Sequence, residues 1–337
     1  MLKGMTTETA TATRATSWDV ARRAGVSRST VSQILNGNDE RFPQETRDRV
    51  TTAAAELAYR PSRAGRSLVS GVSDLIVVVV PNITFGRHLQ DAVDTIANST
   101  AARGLSVVVR YAGNNAETTL TTVLDLRPTA VLDLGVFTEK ERRAIEADGI
   151  VALPQQDMVS DILEDPNHLI GRLQVRHLLE TSGRRLVMAL LQDSRLDTFG
   201  PDRQRGVFDE AAAAGAVEPT VIRIPLLREG AVAALSAVVR DNPGASLGIC
   251  CYNDDVAIAV IAAARELGLQ VPSQVAVVGV DRTEVGQLVS PRLSSVAVDL
   301  LGLLADFLSM TGLTTGDVAR DFRDPSTFVT LVPGESA

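Results

Sequence analysis

From Ser27 to Asn36 the chain reads Ser-Arg-Ser-Thr-Val-Ser-Gln-Ile-Leu-Asn. At helical spacing Val31, Ile34 and Leu35 share one side, leaving Ser27, Arg28, Ser29, Thr30, Ser32, Gln33 and Asn36 on the other. That face combines short hydroxyls, two amides and one guanidinium, with no acid. Such groups suit phosphates and base edges: Arg pairs bidentately with guanine and Gln with adenine. A merely solvated helix face would usually carry Glu or Asp. No catalytic constellation accompanies it, since GxGxxG after the first strand, GxxxxGK[ST], GxSxG and HExxH are all missing. His88, His168 and His177 show no zinc-ligand spacing. Cys250 and Cys251 are adjacent in an apolar run and read as buried free thiols of a reducing cytoplasm. The chemistry on offer is binding, with no cofactor and no metal expected.

A short helix can present such a face only if neighbours hold it. Thr16 or Ser17 can cap a helix over Trp18–Ala24, with Asp19 near its positive end. Gly25 supplies the left-handed residue of a tight turn, Ser27 caps the second helix, and Gly37 ends it. The small Ala21 lets the two helices cross closely, as a helix-turn-helix requires. Pro43 starts a third helix to about Ala58, whose Val50, Ala54 and Leu57 cover the first two. Charge follows the same division. Residues 14–70 hold ten Arg and six acids, a balance of +4, whereas residues 71–337 carry −12 of the total −8. A small basic module is joined to a larger acidic one.

The string SWDVARRAGVSRSTVSQILNG, followed by ETRDRV and AELAYRPSRAGRSL, resembles the head of the LacI/GalR transcription regulators. The resemblance implies that Arg28, Ser29 and Gln33 read bases, and that Ser27, Thr30, Ser32 and Asn36 touch phosphates. It also makes residues 62–70 a hinge that forms a short helix on DNA, with Leu68 as a wedge in the minor groove. Gly65 stands where Ala is common and weakens that helix by roughly 1 kcal/mol.

Beyond the head, short apolar runs alternate with helical stretches: Leu75–Val80, Leu105–Tyr111, Ala130–Leu134 and Ile150–Leu153, then Leu186–Leu191, Val221–Ile224, Leu247–Cys251 and Val275–Val280. Residues 298–337 add a helix, Asp299–Met310, and a final strand, Phe328–Val332. Alternation of this kind builds right-handed βαβ units, and two series predict two doubly wound parallel-sheet lobes with a ligand cleft at the strands' carboxyl ends. No uncharged apolar stretch is long enough to span a bilayer, so no membrane is expected. Residues 1–15 lack the apolar core of a secretory signal.

The similarity extends through GRLQVRHLLETSGRRL and the stretch from CYNDDVAIAV to SPRLSSV, and implies a periplasmic-binding-protein-like effector domain of type I. It places Arg203, Asn253 and Asp281 on the effector, and the segment at Phe85 beside it. A charged fork and a carboxylate at strand ends can satisfy a polyhydroxylated ligand. Simpler roles stand beside these: Arg203 and Asp281 as a salt bridge between lobes, Asn253 as a helix cap. The cleft departs from the usual pattern, with Gln156 where Asp is frequent, Val298 where Gln is frequent and Val280 before Asp281. Aromatics are only 4% of the chain, leaving Phe85, Phe137 and Phe199 as candidates to stack on a sugar. The expected organisation is a flexible tail (1–15), a helix-turn-helix (16–61), a hinge (62–71) and an effector and dimerisation domain (72–337). Within the last, one lobe takes about 72–165 and 299–325, the other about 166–298 and 326–337. The expected function is a cytoplasmic homodimeric repressor on double-stranded palindromic operator DNA, tuned by a small molecule such as a sugar. A solute-binding module with a vestigial head and an enzyme on an α/β scaffold are the alternatives; the intact recognition face opposes the first, the missing motifs the second.

Overall fold

The computed structural model of the protein describes residues 15–37, 39–60, 73–81, 86–113, 115–154, 165–180, 183–193, 197–309, 311–313 and 324–337. The hinge with Leu68, and Phe85 and Gln156, lie outside these. The chain divides into two compact units, Met1–Ser73 and Asp74–Ala337.

Among the described residues of the first unit there are three helices: α1 (Ser17–Ala24), α2 (Arg28–Leu35) and α3 (Gln44–Glu56). Thr16 is the cap of α1, in a reciprocal box. Its hydroxyl accepts from the Asp19 amide, and the Asp19 carboxylate accepts from the Thr16 amide at 2.9 Å. Gly25 turns the chain at φ +67°. Val20, Val31 and Val50, one from each helix, are fully buried among Ala21, Ala24, Ile34, Ala53 and Ala54. Alanines at these contacts let three short helices close on one another.

The second unit begins with β1 (Leu75–Val80), α4 (Gly86–Ala101), β2 (Ser106–Tyr111), α5 (Ala116–Leu126), β3 (Ala130–Asp133), α6 (Glu139–Ala147) and β4 (Val151–Leu153). These strands form a parallel sheet of order β2-β1-β3-β4. The continuous apolar run of β1 is explained by burial on both faces. Ile76, Val78 and Val80 meet Leu89, Ala92 and Ile96 of α4, while Val77 and Val79 meet Val123 of α5 and Ile145 of α6.

There follow α7 (Pro166–Leu179), β5 (Arg185–Leu191), α8 (Gly200–Ala213), β6 (Thr220–Ile224), α9 (Arg228–Asp241), β7 (Leu247–Cys251), α10 (Asp254–Glu266), β8 (Val275–Val280), α11 (Glu284–Leu288) and β9 (Ser294–Val298). The chain then crosses to α12 (Leu300–Ser309) and returns as β10 (Val329–Val332). The second sheet has the order β10-β9-β8-β7-β5-β6. Helix α12 packs its Leu300, Leu304, Phe307 and Leu308 on the first sheet, beside α4.

Two features differ from the sequence reading. Strand β9 was not anticipated, and β10 runs antiparallel to it, so the second sheet is mixed. The reason β9 escapes lies in two side chains. β9 opens with Ser294 and Ser295, which are buried but hydrogen-bonded: Ser294 Oγ accepts from the Gly334 amide at 2.8 Å, and Ser295 Oγ donates to Asp254 at 2.7 Å. Satisfied serines break the apolar run that marks a buried strand.

Candidate functional site

In the head, Ser27 accepts from the Thr30 amide at 3.1 Å and starts α2; its Oγ also lies 2.8 Å from the hydroxyls of Ser29 and Thr30. With Val31 and Ile34 buried, Ser27, Arg28, Ser29, Ser32 and Asn36 are exposed, and Thr30 and Gln33 half-buried. Arg28 Nε donates to Ser17 Oγ at 3.0 Å, which aims the guanidinium along the helix start. Gln33 accepts from Arg41, a positioning contact that nothing in the helix pattern reveals. The helix carries no acidic residue.

In the second unit, a cavity of about 310 Å³ opens between the two lobes. The first lobe gives it His88, Asp133 and Arg142; α12 gives Leu300, Leu303 and Phe307; the second lobe gives Asn167, Phe199, Arg203 and Asp281. Arg203, on α8, is 4% exposed. Its guanidinium lies between the rings of Phe199 and Tyr252, 5.3 and 5.0 Å from their centroids. Nε donates to Asn167 Oδ1 at 3.0 Å and Nη1 to the Tyr252 carbonyl at 2.5 Å. The Tyr252 hydroxyl donates to Asp197 Oδ1 at 3.1 Å, and Asp197 in turn accepts from the amides of Phe199 and Gly200 at the start of α8. The side chain is thus fixed from two helices and a strand end.

Asp281 follows β8 in the left-handed region, at φ +94°, with Arg282 at +47°. Asp254 holds this turn. Its carboxylate accepts from the Thr283 amide (2.6 Å), the Thr283 hydroxyl (3.0 Å) and the Ser295 hydroxyl (2.7 Å). Burial pushes the Asp281 carboxyl up to about 6, against the pull of the Arg203 charge. Asp133, at the end of β3, accepts from the amides of Val136 (2.7 Å) and Phe137 (3.2 Å) and from Arg142 (3.3 Å); burial raises its pKa nonetheless.

Of the residues expected in the cleft, Arg203 and Asp281 come together in one wall. Phe199 lines it, and Phe137 is buried behind Asp133. Asn253 does not line the cavity; it is buried and caps α10, accepting from the Val256 amide at 3.0 Å. His88, Asp133 and Asn167 were not anticipated as lining residues. Asp133 alone left a signal, a carboxylate at the carboxyl end of an apolar strand. Among the described residues no cluster of His, Cys, Asp and Glu could hold a metal ion, and no helix is long and apolar enough to cross a membrane.

A helix-turn-helix and a two-lobed α/β body built on largely parallel sheets define the class of DNA-binding transcription regulators. Residues 18–62 match the model of bacterial regulatory proteins of the lacI family, and residues 175–336 that of the periplasmic binding protein-like domain. The chain is 30% identical over 300 residues to the HTH-type transcriptional regulator GntR of Pseudomonas aeruginosa, covering 86% of this chain and 85% of that protein. It is 28% identical to the transcriptional repressor PurR of Erwinia tasmaniensis, over 84% and 85% of the two chains. In fold it matches a LacI family regulator from Silicibacter pomeroyi (TM-score 0.76, 21% identity, 96% and 99% covered). It likewise matches the lac repressor dimer bound to operator and the anti-inducer ONPF (TM-score 0.71, 23% identity, 96% and 99% covered). This chain belongs to the LacI family: it is a transcriptional regulator with a DNA-binding helix-turn-helix, and not an enzyme.

Proposed function

We propose that the protein is a cytoplasmic homodimeric repressor that binds a palindromic operator and responds to a small-molecule effector held in the interlobe cavity. The observation that carries this reading is the acid-free exposed face of α2, capped by Ser27 and backed by a complete three-helix core. Arg28, Ser29 and Gln33 would read base edges, with Ser27, Thr30, Ser32 and Asn36 on phosphates. A second copy is needed because one small head spans too few base pairs, whereas two heads read both halves of a palindrome. Leu68, outside the described residues, would wedge the operator centre. In the second unit, Arg203 and Asp281 are the proposed effector contacts, with Asn253 supporting the wall as a cap, and Phe85 is proposed beside them. A ligand touching both lobes favours one lobe arrangement, and its coupling to DNA is typically worth 1–3 kcal/mol.

The test is selection of bound DNA with the purified chain, followed by titration on the recovered site. We expect a palindrome, and Arg28→Ala should weaken binding by about 1–3 kcal/mol, with relaxed preference at one half-site position. Equal loss on every sequence, or no recovered site, would remove the operator reading.

A further inference from the structure

The effector reading above leaves the chemistry of the ligand open, and the polar groups of the cavity narrow it. Arg203 is buried, yet among the described residues no carboxylate forms an ion pair with it; its Nε and Nη1 donate to neutral oxygens, an amide and a backbone carbonyl. A buried cation without a contacting anion is a costly arrangement, and it favours whatever anion can reach it. Asp281 acts on Arg203 only through space, and burial makes its carboxyl a reluctant anion. From the opposite lobe His88 of α4 lines the same cavity, and its Nε2 is buried with no hydrogen-bond partner among the described residues. The part of the wall that α12 supplies is apolar, with Leu300, Leu303 and Phe307, while Asp133, Arg142, Asp165 and Asn167 add polar groups elsewhere in the lining.

We infer that the effector is a small 2-hydroxy acid with an apolar skeleton, whose carboxylate bridges Arg203 and His88 while its hydroxyl donates to Asp281. A carboxylate matches the guanidinium fork and would accept from a protonated His88 Nε2. The carbon skeleton lies against α12, whose Leu300, Leu303 and Phe307 side chains offer a ligand hydroxyl no partner. Since the two donors sit on different lobes, the same ligand draws the lobes together. It would add to the exposed Arg87–Glu284 pair, which already spans them at 3.9 Å. The inference rests on the cavity being the effector site.

The experiment is thermal denaturation and calorimetric titration of the full chain at neutral pH. The probes are 2-hydroxy-4-methylpentanoate and mandelate, the primary amides of both, D-glucose, D-galactose and inorganic phosphate. At least one acid should bind at millimolar concentration or below and raise the melting temperature. Its amide should bind at least about tenfold more weakly, the scale of a hydrogen bond to a charged group. His88→Ala should weaken the acid without affecting the folding of the free chain, and Arg203→Gln should abolish its binding; the acid-against-amide comparison stands even where Arg203→Gln fails to fold. Failure of both acids, equal binding of acid and amide, or stabilisation by a sugar or by phosphate instead would overturn the assignment. A sugar that binds and releases operator would sink the acid and leave the effector reading intact. Absence of specific operator binding both with and without the probes would sink the operator reading itself.

Discussion

Asp281 has a carboxyl that burial pushes up to about 6 and a backbone in the left-handed region. Both are unfavourable for the fold alone, and the group lines the cavity. In the unfolded chain the same group titrates near 3.8. Between these values the folded state holds the extra proton, so stability falls as pH rises from about 4 to about 6, and the full cost is present above that. At about 1.4 kcal/mol per tenfold change, keeping Asp281 ionised costs the fold on the order of 2–3 kcal/mol. Asp281→Asn should therefore raise the melting temperature at pH about 7.5 and give no gain below pH about 4, with a weaker effector response. An equal effect at both pH values would show that the carboxyl does not carry that cost. At this scale the sequence was partly legible. Arg203 and Asp281 stand in recognisable strings, and the alternative reading of Asn253 as a cap is what its geometry displays. His88 and Asn167 left no local pattern, because their place in the cavity depends on how distant segments pack.

Helices α7 and α8 show how elements hold a side chain in place. They cross at Gly171 and Gly206, where a Cβ on Gly171 would overlap the Arg203 carbonyl oxygen and one on Gly206 the His168 carbonyl oxygen. These obstacles are backbone, so nothing flexible can give way. Gly171→Ala should force the helices apart, destabilising the second unit by about 1–3 kcal/mol in denaturant melts. It should also lengthen the Asn167–Arg203 contact and weaken ligand binding. Unchanged stability would mean that the crossing has slack. Elements were the most readable level. Runs such as LIVVVV and LGICC carry the signature of burial on both faces, and the expected spans fall within a residue or two of the strands observed. What escaped was β9, whose buried serines are made tolerable by partners some forty residues away, information that no local window contains.

The whole molecule joins a basic segment to an acidic one, +4 over residues 14–70 and −12 beyond. Its two functions should therefore respond differently to salt. If each head neutralises about four phosphates, operator affinity should drop on the order of a hundredfold per head between about 50 and 200 mM salt. Ligand affinity, set inside a buried cavity, should change far less. Parallel titrations on DNA and on ligand measure both, and a salt-insensitive operator complex would contradict the basic-head reading. Another consequence follows from the path of the chain. The four strands of the first sheet are complete by Leu153, but Leu300, Leu304, Phe307 and Leu308 of α12 cover the face formed by Ile76, Val78 and Val80. At about 5–20 residues per second, the ribosome makes that cover on the order of ten seconds after the sheet it protects. For that interval the nascent chain carries an apolar sheet face covered by α4 alone, so any need for chaperones should fall during synthesis more than in the folded state.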